Sequence, residues 1–219
     1  MIPTKDKKYL INNILIYIIN KMSNKSNLIF YALVIFTLII CVKLYLDSDS
    51  FNLKCIISTV DGNKYCVRDK KNIQKTADLL AKVTNKLKNL TDIAYEKYPN
   101  LESVQRLHKR FKPQKIMEIL PTSKYTAYSE NKGEKIAFCT TISKKSETLI
   151  DENTLTFVGI HELSHIMTVS IGHKDELWEN FKFLLEIAVK NNIYIPVDYK
   201  KKPVTYCDMD IKDNPYYDY

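Results

Sequence analysis

TLTFVGIHELSHIMTVSIGHKDELWENFKFLLEIAV, residues 154–189, carries an H-E-x-x-H run, His161-Glu162-Leu163-Ser164-His165, inside an apolar helical pattern. Side chains four positions apart lie on one face of a helix, one turn apart, so His161 and His165 can direct both imidazoles at a single ion. Glu162, one position past the first ligand, reaches a water on that ion rather than the ion itself, which is where a general base is needed. A catalytic zinc takes three protein ligands and leaves a fourth position for water. His173 is the expected third ligand: the helix breaks at Ser170-Ile171-Gly172, and Gly172 supplies the turn that swings His173 back toward the first two. Glu176 and Glu179 are the oxygen-donor alternatives. Beyond the break, Leu177, Phe181, Leu184, Leu185 and Ala188 form a stripe that packs a second helix on the first and so holds His173 near the metal. Three of the four histidines fall between residues 161 and 173, a clustering that composition does not require.

The span from His161 to Leu185, with Gly172-His173 leading into Leu177-Trp178 and Phe181, resembles the small zincins of the WLM and SprT-like group, in which a third His precedes a helix bearing an aromatic pair. The metzincin pattern fails, because Thr168 and Ile171 stand where H-E-x-x-H-x-x-G-x-x-H needs Gly and His. From residue 53 onward the chain resembles still more closely an uncharacterised family of predicted membrane-anchored metallopeptidases from large DNA viruses. The residues behind that likeness are 61–68 (DGNKYCVR), 121–130 (PTSKYTAYSE), the H-E-x-x-H with Gly172-His173, and 214–217 (NPYY). The resemblance implies an α+β, zincin-like domain, mainly helical with a small antiparallel sheet, that hydrolyses peptide bonds in a protein or peptide substrate. Zn2+ held by His161, His165 and His173 would polarise the scissile carbonyl and activate a water, and Glu162 would take the proton and return it to the leaving amine. Zincins resemble one another in a strand just before the active helix whose exposed edge takes up an extended peptide, and Ile136, Ala137 and Phe138 stand in that place. The competing reading is a non-catalytic membrane or virion protein whose zinc staples two helices inside a closed four-ligand shell.

Apolar residues make up 45% of the chain, an ordinary share, but they are unevenly placed. Residues 28–42, LIFYALVIFTLIICV, carry no charge, and the apolar character resumes past Lys43, so residues 28–46 are expected to form one transmembrane anchor with Lys43 snorkelling. No small-residue cleavage site follows it. Lys5, Lys7, Lys8, Lys21 and Lys25 precede the span, while Asp47 and Asp49 follow it, which places a basic segment, residues 1–27, in the cytoplasm and residues 47–219 on the exoplasmic side. Residues 10–19 are too short to span and read as an in-plane interfacial helix; a start at Met22 is the alternative. The net charge of +8 invites a nucleic-acid reading, but residues 1–46 hold six basic residues against one acid, leaving 27 against 24 for the rest. Most of the excess is therefore topology signal rather than a nucleic-acid footprint, and the cluster between Arg68 and Lys115, including Arg106, reads as a solvated helix face.

Within residues 47–219, residues 53–68 read as a β-hairpin. Cys55 faces Cys66 if the loop is the four residues 59–62; a two-residue turn at Asp61-Gly62 sets Ile57 opposite Cys66 instead. With Cys139 and Cys207, four cysteines permit three pairings, of which Cys55–Cys66 with Cys139–Cys207 is favoured; four reduced thiols are expected if the domain is cytosolic. Residues 72–98 carry a long amphipathic helix with Ile73, Ala77, Leu80, Val83, Leu87, Leu90 and Ala94 on one stripe, ended by Pro99. A shorter helix covers 101–111, with His108 a helical surface residue. Pro113 and Pro121 bound a short apolar piece, residues 116–120, and strands follow at 125–128 and 136–142 around a polar turn. Asp151 or Asn153 caps the active helix. From about residue 200 the chain becomes a tail that wraps the domain.

Overall fold

The computed structural model describes residues 25–46 and 53–218, and the chain divides into two compact units, residues 1–48 and 49–219. The in-plane helix expected over residues 10–19, the start at Met22 and nearly all of the basic segment 1–27 lie outside the described residues. Helix α1 (Lys25–Leu46) forms most of what is described of the first unit. Its Asn27–Tyr45 window has a mean hydropathy of 2.5, with none of that window buried. At about 1.5 Å per residue such a helix measures roughly 33 Å, against about 30 Å for a hydrocarbon core. It is long and apolar enough to cross a membrane.

The second unit is α+β, with four α-helices among its described residues. In α2 (Ile73–Lys97) the stripe predicted from the 3.6-residue period is the buried face: Ala77, Leu80, Val83, Leu87, Leu90 and Ala94 are all fully buried. The helix ends at Tyr98, where the following Pro99 disfavours helical backbone. The short α3 (Glu102–Arg110) buries Val104 and Leu107, and its His108 ring stacks on Tyr95 with centroids 4.0 Å apart. The helix that carries His161 and His165, α4 (Glu152–Met167), begins at Asp151, whose carboxylate accepts from Thr154 N at 2.9 Å and Thr154 Oγ1 at 2.6 Å. This helix runs through the interior, packed on α2 on one side and on α5 (Asp175–Lys190) on another. Gly159 permits the first contact: a Cβ there would meet Leu87 Cδ1 at 2.8 Å. All five stripe residues expected on α5, from Leu177 to Ala188, are buried.

The sheet corrects two expectations. It is mixed rather than antiparallel, in the order β3 (Ile116–Glu118), β5 (Lys135–Phe138), β4 (Ala127–Glu130), with β3 parallel and β4 antiparallel to β5. Residues 119–126 are long enough to step across two strand spacings of about 4.8 Å, which leaves a slot into which β5 returns through the turn at 131–134. Ile136, Ala137 and Phe138 therefore lie in the central strand, paired on both sides and essentially fully buried, and they offer no edge. The edge strand on that side is β4. The short apolar piece at 116–120 is strand β3, and its Glu118 is buried against Arg68, which donates from its backbone N at 2.6 Å and from Nε at 2.5 Å. Thr140 Oγ1 donates to the same carboxylate at 2.8 Å. Arg68 thus belongs to an interior ion pair, not to a solvated face, and Thr140 and Thr141 leave the sheet to join that network.

Strands β1 (Leu53–Ile57) and β2 (Lys64–Arg68) pair with Cys55 opposite Cys66, the register of the four-residue loop, and the two cysteines are bonded. Cys139 is bonded to Cys207. The C-terminal residues wrap the domain as a hairpin, β6 (Val204–Tyr206) and β7 (Met209–Ile211), whose turn at Cys207 and Asp208 donates backbone N–H groups to Thr141 O and Ile142 O. Further on, buried Asn214 donates to Tyr194 Oη at 3.1 Å and Val197 O at 2.9 Å.

Candidate metal centre

Helix α4 is buried nearly all round, and the face that escapes burial carries His161 and His165. Their Nε2 atoms stand 3.2 Å apart, which the four-residue spacing on one helix face permits. The chain leaves the helix at Thr168, turns through Gly172 at φ 84°, and brings His173 Nε2 to 3.2 Å from His161 Nε2. The three donor atoms lie within 4.8 Å of one another, and among the described residues they form a cluster of three histidines without a carboxylate or thiol.

This donor set fits a zinc ion. Zn–N bonds of about 2.0–2.1 Å at tetrahedral angles put ligand nitrogens about 3.3–3.4 Å apart, close to the two separations found. A ring nitrogen carries either one lone pair or one proton, so hydrogen bonding cannot satisfy His161 Nε2 toward both neighbours at once. A shared cation can. Burial, then the neighbouring imidazoles, lower His161 to about 3; burial, then His173 and Lys132, lower His165 to about 4. Both rings are therefore neutral donors at neutral pH, the form that binds metal.

Glu162 is buried beside them, and burial raises its carboxyl to about 8. Glu162, His161 and His165 line a cleft of about 760 Å³. One wall is the 125–129 segment, which includes most of β4; the other is Met209 to Asp213, β7 and the two residues after it; Phe157, Trp178 and Phe181 add apolar surface near the histidines. Tyr206 also lines the cleft, and its hydroxyl donates to Thr126 O at 3.2 Å. Burial first, and then the Glu162 charge, hold its phenol well above the usual range.

The sequence readings divide here. His161, Glu162, His165 and His173 come together. Glu176, weighed as an oxygen ligand, instead accepts from Val169 N at 2.7 Å and Ser170 N at 3.0 Å, which occupies both of its oxygens; Glu179 is exposed and outside the cluster. Ile136–Phe138 lie in the sheet centre while β4 borders the cleft. That exchange was legible: the unbroken apolar run Ile136-Ala137-Phe138-Cys139 describes a strand buried on both faces, and the polar end of β4 describes an edge. Tyr206 carried no comparable signal among 15 tyrosines.

The chain is 27% identical over 161 residues to the uncharacterized protein R325 of Acanthamoeba polyphaga mimivirus, covering 72% of this chain and 81% of that protein. It is 35% identical over 85 residues to the uncharacterized protein 042R of Invertebrate iridescent virus 3, covering 38% of this chain and 50% of that protein. No family model and no solved structure matches. The chain is thus similar to proteins of large DNA viruses, at a distance and across most of one of them.

Proposed function

We propose that the protein is a membrane-anchored zinc metallopeptidase of zincin type, similar to the WLM and SprT-like group. The observation that carries the reading is the convergence of three imidazole nitrogens, with His161 Nε2 3.2 Å from each of the other two, beside a buried glutamate in a cleft bordered by an edge strand. His161, His165 and His173 would hold the ion. When bound there, zinc supplies Lewis acidity, polarising a scissile carbonyl and making water a nucleophile near neutral pH. Glu162, buried beside the imidazoles, would be the group that takes a proton from an attacking water and returns it to the leaving amine. The β4 edge aligns an extended peptide by main-chain hydrogen bonds, and the aromatic side of the cleft receives its side chains. The substrate is therefore a protein or peptide segment free to extend.

The helix α1 anchors the chain, with the basic N-terminal segment in the cytoplasm and the domain exoplasmic. Two disulfides in the domain support that side, since oxidising compartments preserve them. A purely structural zinc would want a fourth protein ligand, and the cluster among the described residues holds three.

The test is cleavage of a mixed peptide library by the full chain in detergent. Glu162→Gln should keep zinc and lower turnover by about 10²- to 10⁴-fold, the usual contribution of a general base. A variant as fast as wild type would overturn the mechanism.

A further inference from the structure

Residues 169–173, which deliver the third histidine, make no backbone–backbone hydrogen bonds among the described residues, and Val169 and Ile171 point into solvent at 64% and 85% exposure. Neither a ladder nor a core holds this stretch. Charged side chains take the backbone at its start, and just before it, instead. Lys132 Nζ donates to Thr168 O at 2.6 Å, Val169 O at 3.0 Å and Ser170 O at 2.9 Å, so each of its three protons meets a carbonyl. Glu176 accepts from the N–H groups of Val169 and Ser170, and Arg106 Nη1 donates to Met167 O. The charges also suit the helix ends, a cation at the C-terminus of α4 and an anion in the first turn of α5. Lys132 itself adopts φ 53°, left-handed backbone for a residue with a side chain, in the turn that follows β4.

We propose that Lys132, with Glu176, is a positioning residue for the metal centre: it fixes the 168–170 backbone so that His173 arrives at ligand distance. The proposal rests on the three-histidine metal site put forward above. A tetrahedral ammonium suits three converging carbonyls as a planar guanidinium would not. Because the turn at 131–134 also closes β4, the same lysine ties the cleft's edge strand to the loop that carries the third ligand.

The test is a double-mutant cycle on zinc affinity, measured by chelator competition with the full chain in detergent, across wild type, Lys132→Met, His173→Ala and the double variant. Loss of a residue that orients a metal ligand weakens binding by about 10- to 100-fold. Lys132→Met should lose that factor when His173 is present and less than about threefold when it is absent, because the lysine acts through that ligand. In cobalt(II)-loaded protein, Lys132→Met and His173→Ala should alter the visible spectrum alike. Should Lys132→Met fail to fold, Glu176→Gln takes its place in the cycle with the same expectation. Wild-type affinity in Lys132→Met, or an equal loss with and without His173, overturns the clamp and leaves the metal site standing. A wild-type chain that binds no zinc overturns both.

Discussion

The two halves of the histidine cluster are held by different forces. His161 and His165 sit on a helix whose ladder is complete, whose cap is made by Asp151 and whose other faces are buried between α2 and α5. His173 sits on an exposed stretch held through the side chains of Lys132 and Glu176. The helix half depends on packing, which is dense, apolar and insensitive to salt or mild acid. The loop half depends on a few charge-assisted bonds, so its geometry can change without the domain unfolding. A cluster built this way keeps two imidazoles rigid and leaves the third adjustable.

The largest contrast should appear on removing the ligands. His161→Ala takes away the nitrogen shared by both 3.2 Å contacts and should abolish stoichiometric zinc, whereas His173→Ala should leave a weaker site on the helix, as read by metal content after dialysis. Equal losses would erase the distinction between the halves.

Backbone substitutions should separate stability from metal binding. Gly159→Ala forces a Cβ into Leu87 and should cost about 1–3 kcal/mol of global stability through overpacking, read as a lower unfolding midpoint in denaturant. Gly172 has open space around it but φ 84°, so Gly172→Ala meets only left-handed strain of about 1–2 kcal/mol. That strain should appear as weakened zinc binding, with the denaturation midpoint barely moved.

The smallest effect concerns acid. The N–H groups of Val169 and Ser170 hold Glu176 down to about 2. A carboxylate depressed in the folded state contributes stability that is complete above its ordinary pKa of about 4.5 and is lost as pH falls through about 2. The difference in thermal midpoint between wild type and Glu176→Gln should therefore be constant from pH 8 to 5 and shrink toward pH 2. A difference that vanishes already between pH 7 and 6 would point to a histidine instead.

Much of this was legible in the sequence because it is local. The i, i+4 histidines, the glycine that reverses the chain, the stripes of α2 and α5 and the run that forms α1 all depend on spacing within one element, and the structure holds each where its period put it. The hairpin register stayed open between two loop lengths, and the structure takes the four-residue loop that sets Cys55 opposite Cys66. What escaped depends on partners distant in the chain. Arg68 reads as one more surface cation until Glu118 arrives beside it from 50 residues away. Lys132 reads as a solvated turn residue until α4 ends above it, and the parallel placement of β3 is fixed by where β5 returns, not by the composition of either strand.

The claim on which the rest depends is that three histidines hold one zinc. The decisive measurement is the metal content of the full chain purified in detergent without added metal, alongside His161→Ala. The account predicts about one zinc per wild-type chain and none in the variant. Wild-type protein without zinc, or a variant that retains it in full, would contradict it.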